Sequence, residues 1–400
     1  MDIKILKNKD YQNGSLLNQN LLLETAESES RYDNIKKLVY NIYDFEKNIR
    51  YEILPRIEKH KLGEIINVSV ASDFVYFFNV YEKENEEKQS ISIIRYNYKT
   101  AKMECILTLE DDIEEYIRFK RLKVFVLNDL YLLVQQEYLR ANLSESYAGF
   151  FDFEIDLYNI KDGQKYPVVD ENLVNNGIDN MISISENLCV AKTGFSVLPD
   201  NRYNELTEDE ASLEKISFVN ISQLVSDMLI HKTDIVIDTF EQAFYKNTIP
   251  YIKKEGNFII YSKVNIDKKE EEVTFYNYIT KETKNCINKN VIRCSELANP
   301  CVIAEEPFIY IKREYTIDFL NLNTSKVTIS FQDKLSFMGI CNNTFIFKGV
   351  CQKGLWKKNK ICFEIYSYPQ KNLLLREYEE LLGFIGVRNK TQDNIYLFIP

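Results

Sequence analysis

The sequence predicts an all-β protein assembled from repeated four-stranded antiparallel sheets. The first observation behind this is a short pattern found seven times at the end of a strand-like run: an apolar residue, then Asn or Ser, then another apolar residue. It falls at Asn41, Asn97, Asn159, Asn220, Asn277, Asn321 and Ser367, with spacings of 56, 62, 61, 57, 44 and 46 residues. The second is a two-strand unit upstream of each copy from the second onward. The third is composition: 45% hydrophobic and 13% aromatic residues supply a core, while Gly 12 plus Pro 8 makes 20 of 400, or 5%, against ~12% in ordinary proteins. Disordered, collagen-like and low-complexity chains are thereby excluded.

Taken in order, each copy of the pattern is followed by a polar turn and another apolar run. Lys99 to Lys102 precedes MECILTL, Lys161 to Lys165 precedes YPVV, Asn323 to Lys326 precedes VTISF, and Pro369 to Lys371 precedes NLLL. These are hairpins, and the Asn or Ser starts the turn because its short side chain hydrogen-bonds the backbone two residues on. The upstream units are INVSVAS with DFVYFFNVY, LKVFVLN with DLYLLVQQ, MISISEN with LCVAKTG, SFMGICN with NTFIFKGV, and FIGVRN with NIYLFIP. Their turns carry Asn, Asp, Ser and Glu, the chemistry of a meander. Two hairpins per period give four antiparallel strands.

Four strands recurring every 44 to 62 residues is the sequence form of a β-propeller blade, which takes ~40–50 residues. The whole chain, 1–400, then reads as one propeller domain. The pattern resembles the seven-bladed β-propeller superfold of WD40 and YVTN-type repeats, in which an aromatic-polar or apolar-polar pair ends the third strand. No Trp-Asp pair or Gly-His signature accompanies it, and the single tryptophan, Trp356, lies outside the pattern, so the resemblance is to an architecture and to no family.

Ring closure sets the blade count. The last twenty residues supply only a first and second strand, and residues 38 to 54 are expected to add the missing two from the N-terminal side, giving seven blades closed by pairing of the two chain ends. Gly14 to Thr25 also resembles a first-and-second-strand unit, and with a short strand from Asp2 to Leu6 it would make eight; the N-terminal segment 1–36 is left open between these. His231 to Asn247 is too long for a simple connection and reads as an insertion with a short helix, capped by Asp238 or Thr239 with Gln242 three residues on.

Charge and cysteine usage bear on function. Lys+Arg 50 less Asp+Glu 60 leaves −10, which opposes a role in gripping nucleic acid. No stretch approaches the ~20 apolar residues of a membrane span and the start lacks an apolar export signal, so a cytoplasmic protein with eight free, mostly buried thiols is expected. Glycine-rich phosphate loops are absent and no cofactor is implied. Only His60 and His231 exist, so a His-rich metal centre is excluded and a Ser-His-Asp arrangement has just these two to draw on; each reads as a surface or inter-blade residue. Cys286, Cys294 and Cys301 lack metal-ligand spacing and read as small buried hydrophobes.

The loops joining second to third strands are the longest and most charged, and one face of a propeller collects them. The reading drawn from this is a non-catalytic scaffold that presents that face to a protein or peptide partner, with Trp356, Lys357, Lys358 and Tyr203 as contact residues. Two alternatives stand beside it. One is a hydrolase or lyase using carboxylates at a central channel, from Asp112, Glu114, Glu115, Asp179, Glu305 and Glu306. The other is carbohydrate recognition through loop tyrosines such as Tyr147 and Tyr203.

Overall fold

The structure is a computed structural model describing residues 2–399 except 8–10, 17–20, 30–35, 46–48, 54–64, 72–73, 83–87, 98–99, 101, 113–116, 141–150, 195–212, 236, 290, 292–296, 313–315, 333–335, 342, 354–357 and 389–392. The chain opens with β1 (Asp2–Lys7). Blade one follows as β2 (Tyr11–Leu16), β3 (Leu21–Glu29), β4 (Lys36–Asp44) and β5 (Ile49–Ile53). Blade two is β6 (Ile65–Ala71), β7 (Phe74–Glu82), β8 (Lys88–Asn97) and β9 (Lys102–Asp112). Blade three is β10 (Ile117–Val126), β11 (Tyr131–Arg140), β12 (Phe151–Asn159) and β13 (Lys165–Pro167), after which α1 (Glu171–Asn176) leads on. Blade four comprises β14 (Ile178–Ser185), β15 (Leu188–Thr193), β16 (Glu214–Asn220) and, beyond α2 (Ile221–Leu229), β17 (Asp238–Ala243).

In blade five the first strand is broken into β18 (Asn247–Thr248) and β19 (Ile252–Glu255), both paired to β20 (Phe258–Asn265); β21 (Glu270–Asn277) and β22 (Thr283–Lys289) complete it. Pro250 sits in the break, where its missing N–H cannot serve the ladder. Blade six is β23 (Asn299–Ile303), β24 (Glu306–Lys312), β25 (Thr316–Asn321) and β26 (Lys326–Gln332). Blade seven is β27 (Ser336–Cys341), β28 (Thr344–Lys353), β29 (Lys358–Ser367) and β30 (Leu373–Glu377). The chain ends with β31 (Gly383–Arg388) and β32 (Asp393–Ile399).

Each of the seven blades is an antiparallel meander, β18 and β19 together taking the place of the first strand in blade five. This serial order of four-stranded modules is that of a β-propeller. An eighth sheet joins the chain ends, β1 running parallel to β32 from Asp2 against Asn394 to Lys7 against Ile399, with β31 on the far side of β32. The terminal strands therefore pair, but through Asp2–Lys7. Residues 38 to 54 do not add to the C-terminal sheet; they are β4 and β5, hydrogen-bonded to β3 within blade one, because Gly14 to Thr25 supplies that blade with its first hairpin.

The repeated Asn does what its chemistry requires. Asn97 Oδ1 accepts the Thr100 amide at 2.9 Å, Asn159 the Lys161 amide at 2.9 Å, Asn277 the amides of Ile279 and Thr280 at 3.0 Å each, and Asn321 those of Asn323 and Thr324 at 2.8 and 3.1 Å. In blade four the same position caps a helix instead, Asn220 Oδ1 accepting from Gln223 N at 3.0 Å. The helix expected from Asp238 is corrected accordingly. Helix α2 lies earlier, burying Ile221, Leu224, Val225 and Met228 on one face, while Asp238–Ala243 is the fourth strand that β16 needs. Thr239 bonds Ser217 at 2.9 Å across that ladder in place of capping a helix, and Phe240 stacks on Phe218 at 4.8 Å.

The chain divides into two compact units, Met1–Arg56 with Ala298–Pro400, and Ile57–Leu297. In each, the core lies between the faces of successive sheets. In the first, Phe319, Phe331, Phe337, Phe345 and Phe347 pack blade six against blade seven, and Ile346, Phe363, Ile395 and Leu397 pack blade seven against the terminal sheet. In the second, Leu133, Ile155, Leu173, Cys189 and Val219 join blades three and four, and Val190, Ile216, Ile249 and Ile259 join blades four and five. A sheet with two apolar faces buries neither alone, so stacking neighbours is what stabilises each module.

Among the described residues no helix is long and apolar enough to cross a membrane. Cys105, Cys189, Cys286, Cys301 and Cys341 are free, with Cys189, Cys301 and Cys341 buried. Cys362 is disulfide-bonded, so the expectation of reduced thiols throughout fails at that position.

Candidate functional site

Blade four carries a lysine where the strand pattern calls for an apolar residue. Along β15 the side chains of Val190 and Lys192 fall on one face, and that face packs on blade five. Lys192 is entirely buried, which a cation tolerates only with charged partners. Its Nζ lies 2.8 Å from Asp179 Oδ2 and 2.9 Å from Glu214 Oε1. The other Glu214 oxygen accepts the Thr248 hydroxyl at 2.7 Å and the Ile249 amide at 2.9 Å, which binds β16 to the broken first strand of blade five.

On the opposite side the network reaches blade three. Lys123 Nζ on β10 stands 3.2 Å from Asp179 Oδ1 and 3.3 Å from Glu137 Oε1. Gln135, fully buried on β11, donates to Glu137 Oε1 at 3.0 Å and to the Ile178 carbonyl at 2.9 Å, and accepts the Ile178 amide at 2.6 Å. One amide side chain thus pins the first residue of β14 from both sides. Three blades are tied by two ammonium groups and three carboxylates, with Lys123 and Asp179 the partly exposed members.

The electrostatics follow from that count. Burial opposes ionisation of Asp179, but Lys192 and Lys123 outweigh it and hold its carboxyl below the usual carboxylate range. An acid kept ionised by two ammonium groups is a poor proton donor. It is suited to orienting neighbours, or to meeting a positively charged group from the open side.

Of the acids singled out in the sequence, Asp179 joins this network among the described residues. Asp112 ends β9 opposite Lys88; Glu305 is exposed in the β23–β24 turn; Glu306 accepts from Asn321 Nδ2 at 2.6 Å. Glu114, Glu115, Tyr147, Tyr203, Trp356, Lys357, His60 and Cys294 lie outside the described residues, and Lys358 is described only as the first residue of β29, opposite Lys353. His231 is exposed, its Nδ1 3.2 Å from the Pro167 carbonyl, and no described Ser or Cys accompanies it. Lys192, Lys123, Glu214, Glu137 and Gln135 were not picked out from sequence. The signal for Gln135, Glu137 and Lys192 is polar residues at buried positions of otherwise apolar strands, LLVQQE and LCVAKT.

The sequence matches no family model and no curated protein. Solved structures do resemble the chain. One, from a study of two prolyl endopeptidases, shares 7% identity at a TM-score of 0.50 and covers 94% of this chain and 52% of its own. Another, dipeptidyl peptidase 4 of Porphyromonas gingivalis, shares 10% identity at a TM-score of 0.52 and covers 96% of this chain and 56% of its own. The β-propeller domain of the trilobed protease from Pyrococcus furiosus gives a TM-score of 0.43 at 10% identity, covering 92% and 97%. The chain spans about half the length of the first two. Two solved structures that share the fold over almost the entire chain are thus peptidases, which goes against the expectation of a non-catalytic scaffold; at 7% and 10% identity the likeness itself shows the β-propeller fold.

Proposed function

We propose that this chain serves in peptide hydrolysis, as the propeller part of a peptidase-type hydrolase whose bond-breaking groups lie outside the described residues. The observation that supports this is the fold likeness, extending over 94% and 96% of the chain, to an endopeptidase and a dipeptidyl peptidase. The network around Lys192 gives such a part its rigidity, since ionic and amide bonds tie three successive blades. In this reading the blades act by positioning and admitting peptide.

The experiment is to incubate the purified chain with fluorescently labelled peptides, including proline-containing ones, and to read both cleavage and retention. Peptide that is cut, or held without being cut, supports the reading. A chain that neither cuts nor retains any of them overturns it.

A further inference from the structure

A polar cavity lies in blade four on the sheet face opposite Lys192. The register creates it. Thr193 pairs with Lys215 across β15 and β16, and Ser217 pairs with Thr239 across β16 and β17. Because strand residues alternate faces, Lys215 and Ser217 point to the same side, and their cross-strand partners join them there. The cavity measures about 270 Å3.

Helix α1 and the segment entering β17 form the second wall. Asp170 fixes it: one carboxylate oxygen accepts the Leu173 amide at 2.9 Å and the other the Ile235 amide at 2.8 Å, which seats Asp234 beside the first turn of α1. Both oxygens of Asp170 are consumed in this, and the Ser217 and Thr239 hydroxyls bond each other at 2.9 Å. What remains unneutralised at the cavity is a cation on the sheet wall, Lys215, and an anion on the helix wall, Asp234; neither joins an ion pair with described residues.

We propose that this cavity binds a small zwitterion, an α-amino acid or a dipeptide with free ends, its carboxylate toward Lys215 and its ammonium toward Asp234. A simple anion such as phosphate would meet Lys215 but also face Asp234 and Asp170. An uncharged sugar would leave both charges unmatched. The volume lies below the ~300–1,000 Å3 of pockets for drug-sized ligands, which limits the occupant to one or two residues. The inference goes beyond the hydrolase reading and stands whether or not the chain cuts peptides, because it is tested by binding alone.

The test is isothermal titration of the full chain with alanine, alanylalanine, N-acetyl-alanylalanine, alanylalanine amide and inorganic phosphate. Saturable binding of alanine or alanylalanine is expected, the tighter of the two reporting the length the cavity takes. Blocking either end should weaken binding about tenfold or more, the usual cost of losing one charge-assisted bond. Lys215→Met should bring alanylalanine down to the level of its amide, and Asp234→Asn down to that of its acetylated form. Both positions are partly or fully exposed, and an unchanged circular dichroism spectrum confirms that the variants fold. Absence of saturable heat with either zwitterion, or wild-type binding indifferent to blocked ends, or tighter binding of phosphate than of both, would overturn the proposal.

Discussion

Replacing Lys192 with methionine keeps the aliphatic volume and removes one charge from the middle of the three-blade network. At separations of 2.8 and 2.9 Å and an effective dielectric near 20, each carboxylate attracts the ammonium by roughly 6 kcal/mol before desolvation. Taking each ion out of water costs several kcal/mol, so the intact network contributes little net stability. The variant is different because it leaves carboxylates behind. Asp179 is about one-third exposed and keeps Lys123, whereas Glu214 is 2% exposed and loses the Lys192 ammonium, keeping the hydrogen bonds from the Thr248 hydroxyl and the Ile249 amide. Breaking a buried pair from one side costs about 3–5 kcal/mol. For a unit the size of Ile57–Leu297 that corresponds to a melting temperature lower by roughly 6–20 °C.

The pH dependence of the loss separates an ionic cause from simple packing damage. The folded-state pKa of Asp179 is depressed, so its stabilisation is fully present above the unfolded value near ~3.9 and is lost as pH falls through the lower folded value. Lys192→Met removes the principal cause of that depression. The deficit relative to wild type should therefore stay constant from pH 8 to about 5 and shrink below about 4. Urea melts followed by far-ultraviolet circular dichroism measure it at each pH. A deficit under ~1 kcal/mol at pH 7, or one that grows on acidification, would refute the account. Adding Glu214→Gln to the variant should recover part of the loss, since the residue most harmed is then uncharged.

Other outcomes are expected from the same structure. Phe345→Ala, at a site with no exposure and ring centroids 4.8 and 4.9 Å from Phe319 and Phe331, should cost about 3–5 kcal/mol in chemical denaturation. Asn220→Ala should cost about 1 kcal/mol by removing the N-cap of α2, while Asn220→Asp leaves stability near wild type. Gly194→Ala should destabilise by more than ~1 kcal/mol, because φ is +80° and a Cβ would stand 2.6 Å from the Leu213 carbonyl oxygen. Burial pushes the Cys189 thiol up to about 12, so maleimide at pH 8 should label exposed Cys105 quickly and Cys189 only after denaturant is added, as read by peptide mass spectrometry.

The blades were legible because their signals are local. Asn at the end of a third strand and an upstream meander unit are short-range patterns, and the ladders place Asn97, Asn159, Asn277 and Asn321 where the pattern put them. What misled was competition between local signals. Asp238 to Gln242 offers a capping box, but Asn220 offers a cap as well, followed by apolar residues at i, i+3, i+4 and i+7. The helix forms where a buried face accompanies the cap, and the later segment is taken by the open edge of β16. Residues 38 to 54 were assigned to closure because the C-terminal sheet is short of strands. The actual partner is Asp2–Lys7, the short N-terminal strand of the eight-unit alternative, which is free to take that place because Gly14 to Thr25 completes blade one.

The network around Lys192 was illegible for a different reason. Its members come from β10, β11, β14, β15 and β16, and sequence separation says nothing about which side chains meet across two sheets. Each has a bland reading taken singly: Gln135 and Glu137 could belong to a solvated strand face, and Lys192 to a strand end. Only their coincidence argues otherwise, since a strand that buries Val190 must also bury the residue two positions on, and a buried lysine requires carboxylates within reach. That requirement is directional, and it explains the placement. The start of β14 is gripped by Gln135 from blade three at Ile178, while its Asp179 meets the ammonium of Lys192 in blade four. A bond of this kind fixes the rotation of one sheet against the next, which apolar packing of two smooth faces does not. The polar residues therefore supply specificity of stacking more than net stability, with Lys192 on one face of β15 and β16 and the Lys215 cavity on the other.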